Sequence, residues 1–178
     1  MNEIVEKFTL ECRTNKSGKL KRFKPNSVNK ETYKFWKADS NVMIRDAILA
    51  NKIGISYPRQ LEMIHGAIER ILKSFIIKQY GIEILVHETR TIYDSIIFDL
   101  SNEISREDYA TLSLLDNNFI LYRYPTENRF YNEDMIDMAF KALVNINSIV
   151  EENLKLSNRA KKVISEVEDE ISVSKEKF

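Results

Sequence analysis

Arginine and tyrosine side chains that could hold a phosphate-bearing ligand cluster in LYRYPTENRFYNED, residues 121–134. Guanidinium groups match phosphate in a bidentate geometry, and tyrosine rings stack on bases of any type. The stretch therefore predicts contacts with single-stranded RNA or a nucleotide, made by Tyr122, Arg123, Tyr124, Arg129 and Tyr131. In the alternative interpretation the tyrosines fill a seam between two helices, and Arg123 pairs with an acid such as Glu127 or Asp134.

A second candidate surface for a polyanion is the basic run from Arg13 to Lys37. It holds nine basic residues and one acid, Glu31, which gives a net charge of +8. Over the whole chain 27 basic residues cancel 27 acidic ones, so only this local excess argues for RNA. A basic hairpin here would contact phosphates in a salt-dependent way. The alternative is that the run is a solvated face of the fold.

Metal and cofactor chemistry is not expected. Cys12 is the only cysteine, and His65 and His87 are the only histidines, so no ligand set has metal-binding spacing. Neither a glycine-rich phosphate loop nor a Gly-x-Ser-x-Gly elbow occurs. His87, three residues before Arg90, fits a local role at the start of a helix.

The composition predicts a mostly helical single domain that positions these residues. The chain has 178 residues, of which 43% are hydrophobic, and only 4 Gly and 3 Pro to build turns. The start, MNEIVEKFT, is charged and lacks the apolar segment of a signal peptide. We see no apolar stretch long enough to span a membrane, so we expect a cytoplasmic protein.

Apolar spacing of three and four residues predicts a series of helices joined by short breaks. A basic hairpin within residues 1–30 precedes a helical bundle over 31–156, and a C-terminal helical arm over 157–178 follows. Within the bundle we expect helices over about 31–52, 57–80, 87–100, from 105 through 115, and from 132 to about 156. Gly81 should end the second helix, Ser105 with Asp108 should begin the fourth, and Asn132 should cap the last.

The order of these segments resembles the HEPN domain family. FWKADSNVMIRDAILANK resembles the first helix of the family, and YPRQLEMIHGAIERILKSFIIKQYGI resembles the second, including its Glu69–Lys73 spacing. VHETRTIYDSIIFDL is similar to the short third helix, and the Arg-Tyr-Pro turn with YNEDMIDMAFKALVNINSIVEENL resembles the final one. The resemblance implies an all-α, up-and-down bundle of four or five helices, here with a small N-terminal β-hairpin and a C-terminal extension.

The resemblance also implies a function. HEPN proteins are usually homodimers, often encoded beside a minimal nucleotidyltransferase or in toxin–antitoxin and defence systems. Many are metal-independent endoribonucleases whose motif is an Arg, a polar neighbour and a His a few residues further on. We therefore expect an RNA- or nucleotide-interacting homodimer. The competing hypothesis is a non-catalytic module that docks a partner protein, such as a nucleotidyltransferase, through its Arg-Tyr-Pro face and C-terminal arm.

RQLEMIH, residues 59–65, satisfies the family motif. If the chain cleaves RNA, the resemblance makes His65 the general base or acid and Arg59 the phosphate stabiliser. Six positions along a helix turn the side chain through about 600°, which leaves these two residues about 120° apart. The alternative is that His65 is a packed, hydrogen-bonded residue and Arg59 a solvated cation, so enzyme activity stays open.

Overall fold

The structure, a computed structural model, describes residues 2–13, 20–123 and 131–175. Six α-helices and four short strands follow one another along these ranges. They are α1 (Asn2–Lys7), β1 (Leu10–Arg13), β2 (Leu20–Phe23), β3 (Asn26–Ser27), α2 (Tyr33–Lys52), α3 (Tyr57–Tyr80), β4 (Ile82–Glu83), α4 (Thr89–Asp94), α5 (Arg106–Arg123) and α6 (Glu133–Lys175). The predicted helical bundle with a small N-terminal hairpin is confirmed. No helix in the described ranges has both the length and the apolar character that crossing a membrane requires.

Helix α3 is the centre of the bundle, because α2, α4, α5 and α6 all pack against it. Its apolar side chains are buried around most of its circumference, which is typical of a helix enclosed by others. The helix ends where the sequence predicts, since Gly81 adopts a left-handed conformation with φ of 67°. That conformation carries a steric penalty for residues with a Cβ.

The predicted starts of α5 and α6 are confirmed by their caps. The backbone N–H of Asp108 donates to the Ser105 hydroxyl at 3.0 Å, and that hydroxyl donates to the Asp108 carboxylate at 2.8 Å. The backbone N–H of Met135 donates to the Asn132 side chain at 3.0 Å. Both caps satisfy backbone donors that the first helical turn leaves without a partner.

The N-terminal segment differs in part from the hairpin expected within residues 1–30. Residues 2–7 form helix α1, and only Leu10–Arg13 pairs with Leu20–Phe23 in an antiparallel hairpin. Phe8 follows α1 directly, is fully buried and packs on Tyr80 with a ring separation of 4.8 Å. The helical turn is favoured because it brings Phe8 into the core, a contact that strand alternation does not reveal.

Two helices differ in extent from the sequence-based prediction. The helix expected over 87–100 is divided into α4 and a 3-10 turn over Ile97–Asp99, because Ile96 has a non-helical φ of −123°. Helix α6 continues to Lys175, whereas the sequence predicts a new helix beyond Ser157. The division of the chain at residues 30 and 156 stays a prediction.

Candidate functional site

Three ionisable side chains form a column inside the bundle. His65, Glu69 and Lys73 are four residues apart on α3, so they lie on one face of the helix. All three are buried in an interior that is otherwise mostly apolar. Because a buried charge is costly unless it is paired, the partners of this column determine what it can do.

Glu69 is the centre of the column. Its Oε1 accepts hydrogen bonds from Lys73 Nζ at 2.8 Å and from His87 Nδ1 at 2.9 Å. Burial alone would raise the pKa of the Glu69 carboxyl, but the His87 hydrogen bond and the Lys73 charge outweigh it and lower the pKa to about 2. Lys73 Nζ also lies 5.4 Å from the centre of the Trp36 ring, a favourable cation–π contact. Glu69 is therefore a fixed carboxylate with two donors.

His87 connects this buried carboxylate to the surface. It lies between β4 and α4, and its side chain is 62% exposed. A carboxylate only accepts hydrogen bonds, so Nδ1 of His87 carries the proton that is donated to Glu69. In the neutral ring Nε2 then carries a lone pair. The ring also stacks toward Phe119 at a centroid separation of 6.2 Å, which restrains its orientation.

His65 has the opposite environment. It is fully buried, its Nε2 lies 3.1 Å from Asp116 Oδ1, and its ring stacks on Phe119 at 4.4 Å. Asp116 also accepts hydrogen bonds from the backbone N–H groups of Thr89 and Arg90, so it joins α3, α4 and α5. Nδ1 of His65 is buried without a hydrogen-bond partner in the described part of the chain. These contacts join α3, α4 and α5, and they keep the imidazole ring of His65 away from the surface.

The predicted catalytic pair lies in two different surroundings. Arg59 is exposed in the first turns of α3, where its guanidinium pairs with Glu62 at 2.7 Å. His65 lies in the core on Asp116, and no hydrogen bond joins it to Arg59 among the described residues. The catalytic role of Arg59 and His65 stays a prediction.

Most of the Arg-Tyr-Pro stretch lies outside the described residues. Tyr124 and Arg129 fall there, as do the side chains of Tyr122 and Arg123, whose backbone forms the end of α5. Tyr131 is half-buried and packs against the hydrophobic core. The RNA- or nucleotide-binding role of these five residues stays a prediction.

Several side chains of the basic run make contacts within the fold. Arg22 pairs with Glu6 on α1 and with Glu11 across the hairpin, and Lys34 pairs with Glu31. In addition, Lys37 contacts α6 through an ion pair with Glu151 at 2.8 Å. These contacts favour the interpretation of the run as a solvated, ion-paired face.

A polar cavity of about 400 Å³ lies between the hairpin, α4 and α5. Glu88, the residue after His87, lines this cavity. The other lining side chains are mostly hydrogen-bonding or charged, namely Glu11, Cys12, Arg90, Thr91, Ser113, Asp116 and Asn117, with Leu20. The volume is within the range of small-ligand pockets. No cluster of three potential metal ligands occurs among the residues that the structure describes.

Sequence spacing does not identify His87 as a functional residue. It precedes Arg90, the reverse of the family order, and the sequence therefore predicts only a local role for it. The contact that distinguishes it is with Glu69, 18 positions earlier. The one signal for His87 in the sequence is the spacing of four between Glu69 and Lys73. This spacing lets the two side chains pair on one helix face, where the buried pair can bind a third polar group.

No family model matches the chain, and no curated protein sequence does. Two solved structures are similar in fold. The protein TT1696 from Thermus thermophilus is 18% identical with a TM-score of 0.57, and the match covers 68% of this chain and 98% of that one. ST0689, an archaeal HEPN homologue, is 17% identical with a TM-score of 0.52, covering 67% and 95%. At these identities the likeness concerns the fold alone, and this chain has a HEPN-like fold.

Proposed function

We propose that this chain is a HEPN-like module that interacts with RNA or a nucleotide, as a cytoplasmic homodimer in a toxin–antitoxin or defence system. The observation that supports the proposal is the polar cavity beside His87. Its size suits a nucleotide, and Ser113 and Asn117 offer hydrogen-bond donors and acceptors for a base or ribose. Arg90 supplies a positive charge for the phosphate.

Binding of labelled single-stranded RNA and of nucleoside monophosphates tests this proposal. We expect fluorescence polarisation to show binding that weakens as the salt concentration rises from about 50 to about 200 mM, because binding through phosphate contacts loses affinity over this range. Arg90→Ala should weaken it, because the cavity loses its cation. Arg45→Ala, an exposed arginine on α2, is the matched control. Equal affinity of the two variants, or no binding at low salt, would contradict the proposal.

A second candidate function, docking of a partner protein, is favoured by the outer face of α2. This face exposes large apolar side chains in a row at helical spacing, namely Phe35, Val42 and Leu49, and the exposed Ile53 follows directly after the helix. Phe35 is 76% exposed, which is unusual for a phenylalanine in a helix that already packs on a neighbour. A helix with a second apolar face is suited to a protein partner.

Co-purification with a co-expressed minimal nucleotidyltransferase tests the docking function. Leu49→Glu should abolish the complex, because it places a charge in the centre of the apolar row. Phe98→Glu is the matched control, since Phe98 is 95% exposed outside α2. A complex that survives Leu49→Glu unchanged would exclude α2 as its docking surface, and a complex lost on deleting residues 157–178 would assign docking to the C-terminal arm.

A further inference from the structure

We infer that His87 is the general base of a metal-independent RNA-cleavage site, and that Glu69 is the residue that positions it. This inference rests on the proposed interaction with RNA. It assigns the proton transfer to a histidine outside the RQLEMIH motif and on a different element, the connection between β4 and α4.

Access to substrate distinguishes the two histidines of the chain. A base must come within hydrogen-bond distance of the hydroxyl that it deprotonates. The ring of His65 is fully buried between Asp116 and Phe119, whereas the side chain of His87 is 62% exposed. Only His87 can meet an RNA strand without opening the bundle.

The protonation of the His87 ring also suits a base. With Nδ1 donating to the Glu69 carboxylate, the nitrogen that remains to accept a proton is Nε2. Neutral histidine in solution divides between two tautomers, and a fixed carboxylate selects one of them. Glu69 therefore keeps the exposed ring of His87 in the tautomer in which Nε2 carries no proton and can accept one.

Glu69 is itself held in place by contacts on its other side. Lys73 Nζ binds the same oxygen, Oε1, and is in turn held against Trp36. Phe119 restrains the imidazole ring of His87 from one face. Carboxylate and imidazole are thus anchored by separate contacts, which is the pre-organisation that proton transfer requires.

The reaction that fits is transesterification at an RNA phosphate. Nε2 of His87 takes the proton of the 2′-hydroxyl as the 2′-oxygen forms a bond to phosphorus. The bond from phosphorus to the 5′-oxygen breaks, and the departing oxygen takes a proton from water. The products are a 2′,3′-cyclic phosphate and a 5′-hydroxyl. Arg90, which lines the adjacent cavity, would stabilise the negative charge on the phosphate.

Cleavage of end-labelled, mixed-sequence single-stranded RNA in EDTA provides the activity test. The wild type should cut and yield cyclic phosphate ends. His87→Ala, confirmed as folded by circular dichroism, should lose about 100-fold in rate, the lower range for loss of a general base. Added imidazole should restore part of the rate in His87→Ala, because the missing ring leaves an exposed gap. A structural role for His87 would not give this rescue.

Nitrogen-15 NMR of the two histidine rings provides a test that needs no activity. At a pH at which the ring is neutral, the His87 signals should show protonated Nδ1 and unprotonated Nε2. In Glu69→Gln the tautomers should mix, since the amide can accept or donate. A wild-type His87 with its proton on Nε2 would overturn the inference even if Glu69→Gln failed to fold.

The outcomes separate the inference from the proposed function. RNA that is bound but not cut overturns the role of His87 and leaves the proposed interaction with RNA standing. Cleavage that His87→Ala retains, and that His65→Asn abolishes, assigns the chemistry to the RQLEMIH motif and also overturns it. A wild type that neither binds nor cuts RNA contradicts both.

Discussion

Replacing Glu69 with glutamine tests whether the buried column stabilises the fold. The change keeps the shape of the side chain but removes the charge that holds Lys73 and His87. The pKa of the Glu69 carboxyl is about 2 in the folded protein against 4.5 for the ordinary group, a difference that corresponds to about 3 kcal/mol. Removing one member of a buried ion pair costs about 3–5 kcal/mol. We therefore expect Glu69→Gln to lower the free energy of unfolding by about 3 kcal/mol at pH 7.

Urea unfolding at a series of pH values measures this effect. A carboxyl whose pKa is lowered by folding contributes stability above pH 4.5, and that contribution is lost as the pH falls toward 2. The wild type should lose about 3 kcal/mol more than Glu69→Gln across this window, so the two curves should converge at low pH. A cost below about 1 kcal/mol at pH 7, or curves that stay parallel, would refute the reasoning.

Lys73 provides the control for this experiment. Without Glu69 its ammonium group is buried, and the contact with Trp36 does not replace the lost carboxylate. Adding Lys73→Met to Glu69→Gln removes that isolated charge and should recover part of the lost stability. A double variant less stable than Glu69→Gln would show that the Lys73 ammonium stabilises the core even without Glu69, through its contact with Trp36.

Three further substitutions should give defined changes in stability. Gly66→Ala would place a methyl group 2.5 Å from the flexible end of the Met43 side chain, which can move aside, and alanine favours the middle of a helix by up to about 1 kcal/mol over glycine; we expect the free energy of unfolding in urea to stay equal or rise by less than about 1 kcal/mol, and a loss that Met43→Ala relieves would show that Met43 cannot move. Asp116→Asn leaves one oxygen acceptor where the carboxylate offers two, so either the His65 and Thr89 contacts or the Arg90 backbone N–H lose their acceptor; the free energy of unfolding in urea should fall by about 2 kcal/mol, and a loss under about 1 kcal/mol would contradict the joining role of Asp116. Ile71→Ala empties a fully buried site on α3 and should cost about 2–5 kcal/mol in thermal unfolding, and a loss under about 1 kcal/mol would show that the core closes around the gap.

Features fixed by neighbouring residues could be predicted from the sequence. The Ser105–Asp108 cap depends on a spacing of three, and the end of α3 depends on one glycine, Gly81. The helical bundle follows from apolar periodicity in the same way. These signals are local, so each can be read within one or two turns of a helix.

Features fixed by distant contacts could not be predicted. Helix α1 forms because Phe8 reaches the core against Tyr80, 72 positions away along the chain. The motif at RQLEMIH satisfies a spacing rule, but spacing does not show that His65 is buried and bound to Asp116. His87 carries no local signal for the same reason, since its distinguishing partner comes from another element.

The central position of α3 has a consequence for how the native protein opens. Helices α2, α4, α5 and α6 each pack on α3, and β1 and β2 form a separate two-stranded sheet. A peripheral element can detach while α3 stays covered by the others, but α3 cannot be exposed until several of them have left. Its amide hydrogens should therefore exchange with solvent only through global unfolding, and those of the β1–β2 hairpin should exchange through much smaller openings. Helix α3, which carries His65, Glu69 and Lys73, is thus the last part of the molecule to open to solvent.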